Sequence, residues 1–336
     1  MALTLDKIAR EVGVDVSLVS RVLNGDPSAR ISAEKRAKIV AIAAENNYSP
    51  NRMARSLRTR RTRILAMLNP DIINPFYAYL FRSVERTASA AGYDVILCNT
   101  DESSARFRHI VETLAEGHVD GLLIATAQET DPAIEWLRER KLPYVLLNRS
   151  RKGQSDPWVG SNDFQTGWLG GNHLGKLGHR RIALLTGPPT HNMLARETGF
   201  RAALKELGIK PADELMIGNL PNRQSAKTIV ESVMALPKTR RPTAFFTPHT
   251  QLSDGMLAGL HKAGLRIPAD ISAVGCSASV TPDITSVWLP IEEIGRVGTE
   301  YLLQKLRTAD AARDGAMPRI ELPVALVDWG STRAIS

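Results

Sequence analysis

Two cysteines, Cys98 and Cys276, are all that the 336 residues contain. That excludes a disulfide framework and any multi-cysteine zinc site. Long apolar runs are missing as well, since no stretch approaches the roughly 18 residues a membrane span needs. The N-terminus places Asp6 where a secretory signal requires an uninterrupted apolar run, so a cytoplasmic location is expected. Signatures of catalysis are absent: there is no Gly-x-Ser-x-Gly elbow and no His-Glu-x-x-His, and the seven histidines are scattered without ligand spacing. Gly170-x-x-x-x-Gly175-Lys176 spells most of a phosphate loop, but Leu177 follows where a magnesium-binding hydroxyl is required. The run also falls inside an amphipathic helical pattern, where backbone amides are already committed. The expectation is no enzyme, no metal and no cofactor. With 43% apolar and 23% charged residues the chain is an ordinary globular sequence, long enough for two or three folding units.

Acid is missing from one segment in particular. Arg52 to Arg63 holds six arginines and no Asp or Glu. Residues 1–63 carry 13 Lys or Arg against 6 Asp or Glu, so +7 of the total +8 sits in the first fifth of the chain. Such a run repels itself unless a polyanion neutralises it, and a phosphate backbone does so while releasing counterions. A solvated basic tail has the same composition. The patterned helices beside the run favour nucleic acid.

Leu5, Ile8, Ala9 and Val12 fall at helical spacing, and Gly13 ends that helix where positive φ is cheap. Asp15 is placed to cap a second helix whose apolar face is Val19, Val22 and Leu23, with Val16, Ser17, Ser20 and Arg21 directed elsewhere. Two short helices about a tight Gly turn make a helix-turn-helix unit, whose second helix fits the major groove. Asn24-Gly25-Asp26-Pro27 breaks the chain, and Ser32 opens a third helix with Ala37, Val40, Ile42 and Ala43 among its small and apolar positions. Periodicity alone equally describes a plain three-helix bundle. Ser49-Pro50 then caps a helix of barely two turns, Asn51 to Arg58, too short to be stable alone in water.

Three blocks in this order and spacing carry a family resemblance. Thr4-Leu5-x-x-Ile8-Ala9-x-x-x-Gly13-Val14, Val19-Ser20-Arg21-Val22-Leu23-Asn24 and Tyr48-x-Pro50-Asn51-x-x-Ala54-Arg55-Ser56-Leu57 closely resemble the LacI/GalR family of bacterial transcription regulators. The resemblance implies that Val16, Ser17 and Arg21 meet base edges, and the chemistry agrees: arginine pairs with guanine O6 and N7, a serine hydroxyl bonds several bases, and valine meets a thymine methyl. Thr4, Ser20, Asn24 and Ser32 would contact phosphates and set orientation. In the hinge segment Asn51, Arg52, Ala54 and Arg55 join the DNA-contacting set. Leu57 would be a wedge entering the minor groove, unstacking a base step for a few kcal/mol repaid by added contacts. The competing role for Leu57, a packing contact on the next domain, is less suited to its arginine-rich surroundings.

From Ile64 onward apolar runs alternate with helical patterns. Strands are expected at 64–68, 93–98, 121–125, 144–147, 182–185, 243–246 and 271–274, with helices such as 77–90, 106–115, 168–177, 197–207 and 252–263. Such alternation argues for doubly wound parallel sheets with helices on both faces, and about 270 residues suit two sheets better than one. Asn74-Pro75-Phe76, Gly178-His179-Arg180-Arg181-Ile182-Ala183, Arg196-x-x-Gly199-Phe200 and Ile267-Pro268-x-Asp270-Ile271-Ser272 match the family's patterns. The implied architecture is periplasmic-binding-protein-like, with a ligand cleft between two subdomains. The expected division is a helix-turn-helix head at 1–48, hinge and linker at 49–63, and an effector and dimerisation domain at 64–336. That domain would split into 64–160 with 290–320, and 161–289 with 321–330.

The resemblance also populates the cleft. Arg196 matches the family's effector-binding arginine, whose five fixed donors suit hydroxyls or carboxylates. Phe76 could lay a face on a sugar ring, although aromatics on such folds are more often core. Asn162-Asp163 stand where the family commonly has Asp-Asn. Ser277 occupies the place of a ligand-binding aspartate, His249-Thr250 replace Asn-Asp, and Leu220 replaces a frequent aromatic. With acceptors lost and Arg196 retained, the residues favour an effector bringing its own acceptors, a sugar acid or sugar phosphate, over a neutral sugar. Few aromatic partners argue against a purine. Cys98 and Cys276 are expected to be buried, inert thiols, and His179 to hold a helix-to-strand turn.

The function expected is a homodimeric, effector-controlled repressor of a sugar or sugar-acid utilisation operon, binding a pseudo-palindromic DNA operator. The tail after Val327 has no leucine heptad, so a dimer is expected rather than a tetramer. A transporter's solute-binding protein shares the larger fold but has no use for a basic head. A nucleotide-dependent enzyme would need a phosphate loop at a strand-to-helix turn.

Overall fold

The computed structural model describes residues 4–23, 28–46, 48, 61–126, 132–151, 156–277, 284–308 and 319–335. The chain divides into two compact units, Met1–Thr62 and Arg63–Ser336. Among the described residues no helix is long and apolar enough to cross a membrane.

The first unit holds three helices, α1 (Leu5–Val12), α2 (Val16–Leu23) and α3 (Ala33–Glu45). Gly13 closes α1 in the left-handed region, φ 66°, and Val14 N–H donates to Ala9 O at 3.0 Å. Asp15 Oδ1 accepts from Ser17 N–H at 2.7 Å, capping α2 as its position predicts. Ser32 does the same for α3, accepting from Lys35 N–H at 3.3 Å. Lys35 and Lys38 of α3 donate to Gly13 O and Glu11 O, so two cations sit on the carbonyl end of α1. Ile8, Val19 and Ile39, all fully buried, centre the core. On α3 the register differs from expectation: Val40 is 50% exposed and Ala37 is exposed, while Ile39 turns inward with Ile42 and Ala43. Val16, expected to point away, is half-buried against this core.

The second unit contains two six-stranded sheets. The first combines β1 (Ile64–Asn69), β2 (Asp94–Asn99), β3 (Gly121–Ile124), β4 (Tyr144–Leu147), β5 (Trp158–Ser161) and β11 (Arg319–Leu322) in the order β11-β5-β4-β3-β1-β2, all parallel. The second combines β6 (Ile182–Leu185), β7 (Met216–Ile217), β8 (Ala244–Phe246), β9 (Ser272–Ser277), β10 (Thr285–Trp288) and β12 (Ala325–Val327) in the order β12-β10-β9-β8-β6-β7, parallel except for β12. Central strands such as β3 and β4 are buried at every position, as sheets covered on both faces require. The chain crosses between the lobes after β5, after β10 and between β11 and β12.

Helices α4 (Pro75–Ala90), α5 (Ser104–Leu114), α6 (Pro132–Glu139) and α11 (Ile291–Thr308) belong to the first lobe. Helices α7 (Asp163–Lys176), α8 (His191–Glu206), α9 (Arg223–Met234) and α10 (Thr250–Lys262) belong to the second. The crossing of α7 and α8 is unusually close. A Cβ on Gly167 would strike the backbone of Arg196, and one on Gly199 would strike the backbone of Phe164. Gly170 and Gly175 are packing glycines too, facing Phe246 and Leu207, which explains the phosphate-loop spelling without a phosphate. His179 is fully buried and bonds Thr243 Oγ1 at 2.9 Å, Ser272 Oγ at 3.0 Å and Arg333 O at 3.2 Å, pinning the C-terminal segment to the start of β6. Cys276 is buried, but Cys98 is only half-buried, because β2 is an edge strand.

Candidate functional site

The head presents one exposed stripe on α2. Ser17 and Arg21, one turn apart, are both exposed, and Ser20 is half-buried between that stripe and the core face. Asp15, whose acidic side chain sits beside this stripe, is engaged as the cap: hydrogen bonds from Ser17 hold its carboxyl below the ordinary value. Thr4 stands at the N-cap position of α1 with an exposed side chain that makes no cap hydrogen bond. Ser32 is exposed at the start of α3. Asn24, and the hinge residues Asn51, Arg52, Ala54, Arg55 and Leu57, lie outside the described residues.

A cavity of about 810 Å³ opens between the lobes of the second unit. Its wall is made by residues just past the carboxyl ends of strands in both sheets, among them Asp71 after β1, Asn148 after β4, Pro188 after β6 and His249 after β8. Phe76, Arg196 and His249 of the predicted set line it. Phe76 is 6% exposed and packs edge-on to Tyr77 at 5.0 Å, so it serves both the core and the wall.

Arg196 is deeply buried and tied down on three sides. Its Nε donates to Asp163 Oδ1 at 2.8 Å, its Nη2 lies 2.7 Å from the same oxygen, and its Nη1 donates to Pro248 O at 2.6 Å. Asp163 Oδ2 in turn accepts from Asn192 Nδ2, which also donates to Asn148 O across the cleft at 3.1 Å. Asp163 therefore stands behind the cavity wall rather than on it. Burial pushes its carboxyl upward, opposed by the charge of Arg196. Asn162 is off the wall as well. It caps α7, accepting from Gln165 N–H at 2.7 Å, and donates to Glu321 at 2.7 Å. Leu220 packs half-buried against the second lobe's core. Ser277 ends β9 opposite Trp288, and its side chain lies outside the described residues.

His249 is the most perturbed histidine here. Burial, with Arg196 and Arg149 nearby, pushes it down to about 4, so it is neutral at physiological pH. Arg149, which sequence reading missed, donates to both oxygens of Glu102 at 2.8 and 2.6 Å. Asn148, Asn192, Asp71 and Gln251 were missed also. Asn148 and Arg149 directly follow a correctly read strand, and the rule that ligands lie past strand ends would have nominated them.

Comparison with known proteins follows the same division. The pattern of "Bacterial regulatory proteins, lacI family" matches residues 4–51, and that of a "Periplasmic binding protein-like domain" matches residues 172–332. The ribose operon repressor of Escherichia coli K12 is 31% identical over 336 residues, covering 98% of this chain and 99% of that protein.

The chain belongs to the lacI family of bacterial regulatory proteins.

It is a DNA-binding transcription regulator, not an enzyme, and its head and two-sheet core are the family's. The lac repressor dimer bound to operator and the anti-inducer ONPF superposes with a TM-score of 0.82 at 25% identity, covering 99% of this chain and all of that one. A LacI family regulator from Enterococcus faecium with bound ribose superposes with a TM-score of 0.69 at 29% identity, covering 81% of this chain and all of that one.

Proposed function

We propose that this lacI-family chain is a cytoplasmic, homodimeric repressor of a carbohydrate-utilisation operon, released from a pseudo-palindromic operator by a sugar-class effector. The division of labour follows the sequence: a reading head at 1–48, a hinge at 49–63, and an effector and dimerisation domain at 64–336. Val16, Ser17 and Arg21 read bases. Thr4, Ser20, Asn24 and Ser32 hold phosphates. Asn51, Arg52, Ala54, Arg55 and Leu57 work at the minor groove. The observation that carries the reading is the exposed Ser17–Arg21 stripe of α2 in a chain that also holds a cleft between two lobes. Coupling arises because effector and operator favour different arrangements of the lobes.

A sugar acid or phosphate is the expectation from sequence, because acceptors are lost from the cleft while Arg196 is retained. Arg196 is matched by Asp163 and Arg149 by Glu102, so neither guanidinium brings an unbalanced charge to the cleft. The pairing favours a neutral sugar. Relatives named for the ribose operon, and a neighbour holding ribose, support the sugar class. The test is selection of bound duplexes from a random DNA pool by the purified protein, repeated with candidate sugars. Enrichment of a two-fold symmetric site that a sugar releases is expected. No enrichment under any condition would defeat the reading.

A further inference from the structure

One acid stands at the reading end of the head. Helix α2 itself, Val16–Leu23, carries no Asp or Glu and a single cation, Arg21. Asp15 immediately precedes it, and its side chain is exposed, as are those of Ser17 and Arg21. Asp15 Oδ1 accepts from Ser17 N–H at 2.7 Å, which sets the carboxylate over the N-terminal end of the helix. The cap does not call for this charge, because Asn, Asp and Ser are nearly equal as N-caps. A carboxylate in that place gains roughly 0.3–1 kcal/mol from the helix dipole while it stays in water. On DNA the balance changes. A reading helix enters the major groove led by its N-terminal residues, where a carboxylate meets the field of the phosphates and gives up hydration. Its placement is favourable there only if a base edge supplies a hydrogen-bond donor in return.

The major groove presents two such donors, the N4 amine of cytosine and the N6 amine of adenine. An ionised carboxylate is acceptor-only, with about four lone-pair sites, so the bond from Ser17 leaves it capacity for another. Adenine sets the acceptor N7 beside its amine, and that lone pair opposes the charge. Cytosine has no acceptor on its own edge, and thymine O4 and guanine O6 and N7 are acceptors that repel a carboxylate. The neighbouring side chains cannot make this distinction: Ser17 offers a hydroxyl that donates or accepts, and Val16 only methyl groups. Asp15 is thus the one group at this end of α2 with a strict requirement for a donor.

We propose that Asp15 is a specificity-determining residue of the head, its carboxylate accepting from the N4 amine of one cytosine in each operator half-site while it caps α2. The proposal rests on α2 being the reading helix. Its test is selection from a random duplex pool by the full-length protein and by Asp15→Asn and Asp15→Ser, both of which keep a capping oxygen, followed by fluorescence anisotropy on matched duplexes. The wild type is expected to prefer cytosine about tenfold at a base pair other than the one that Arg21→Ala relaxes. Asp15→Ser should level that preference. Asp15→Asn should move it to adenine, whose N6 and N7 an amide bonds together. The remaining positions of the site should keep their bases. A residue that only caps the helix changes affinity for every duplex alike, so base preferences unchanged in both variants would overturn the proposal. A uniform gain in affinity, scrambled duplexes included, would overturn it too and make Asp15 a charge that repels phosphate. So would a wild-type preference at the affected position for any base but cytosine. A wild type that enriches no site, with or without sugars, defeats the regulator reading itself; one that enriches a site which both variants copy defeats only the assignment of Asp15.

Discussion

Asp163, at the first turn of α7, and Arg196, midway along α8, form a buried ion pair whose oxygen-to-nitrogen distances are 2.7 and 2.8 Å. Both side chains are more than nine-tenths buried. The pair does not end at itself, because Asp163 also fixes Asn192 and Arg196 fixes the Pro248 carbonyl beside His249. Two residues of the cavity wall are thus held from behind by one charge pair.

Breaking such a pair one side at a time is costly. Asp163→Leu alone should lose about 3–5 kcal/mol in urea unfolding, because it strands a buried guanidinium. Arg196→Met alone should lose a comparable amount. The double variant Asp163→Leu, Arg196→Met should be more stable than either single one, a coupling that a double-mutant cycle reads directly. Additive losses would mean that the two charges are not interdependent.

The pair exists only because α7 and α8 cross so closely. In an exposed helix, Gly→Ala gains roughly 0.5–1 kcal/mol. At Gly167 and Gly199 the added carbon meets backbone, which cannot swing aside, so the sign reverses. Each Gly→Ala change should cost about 1–3 kcal/mol by thermal or urea unfolding and weaken effector binding. A neutral or stabilising result at both would show that the helices part freely.

This dependence explains what sequence could and could not say. Arg196 and Asp163 were both nominated, but their mutual pairing was invisible, since it depends on two glycines, Gly167 and Gly199, 32 residues apart in the chain. Fully buried strands such as Tyr144–Leu147 were legible from their continuous apolar runs. The edge strands β11 and β12 were not, because their burial alternates and they resemble polar loops. The two-residue β7 offers too little pattern to read. In the head, Ile39 and Val40 are adjacent apolar residues, and only packing against Ile8 and Val19 decides which turns inward.

Acid should destabilise the protein through its buried histidines. Burial pushes His249 down to about 4 and lowers His173 and His179 as well. A histidine whose folded pKa is depressed binds its proton more readily when unfolded, so stability is intact above about 6.5 and falls as pH drops from there towards 4. His249 alone contributes on the order of 3 kcal/mol over that window. Urea midpoints should therefore decline between pH 6.5 and 4.5, less steeply in His249→Gln. A flat profile in the wild type would contradict the neutral, buried assignment. Asp270, held well below the ordinary carboxylate range by hydrogen bonds from Arg266, titrates below this window.

Leu57→Ala tests the hinge proposal. Removing the wedge should weaken binding to the selected operator while leaving non-specific, salt-sensitive binding nearly unchanged, because the arginines that neutralise phosphate remain. Fluorescence anisotropy on operator and scrambled duplexes separates the two. Equal loss on both would assign Leu57 to packing.

Gln251 and Asp71 connect the cleft to the lobe arrangement. Their hydrogen bond joins α10 of one lobe to the loop after β1 of the other at 2.9 Å. A hydrogen bond of this kind is worth about 1 kcal/mol net, or roughly fivefold in the balance between bridged and parted lobes. A ligand that prefers the bridged arrangement loses that factor when the bond is removed, so Gln251→Leu should weaken the binding of a cleft ligand about fivefold. Asp71→Asn keeps an acceptor and should lose less. Reciprocity requires that the same change shift operator affinity measured with ligand present, in the direction of tighter retention on DNA. If Gln251→Leu instead tightened ligand binding, the bridged arrangement would be the one that ligand must open, and the direction of coupling between cleft and operator would be reversed.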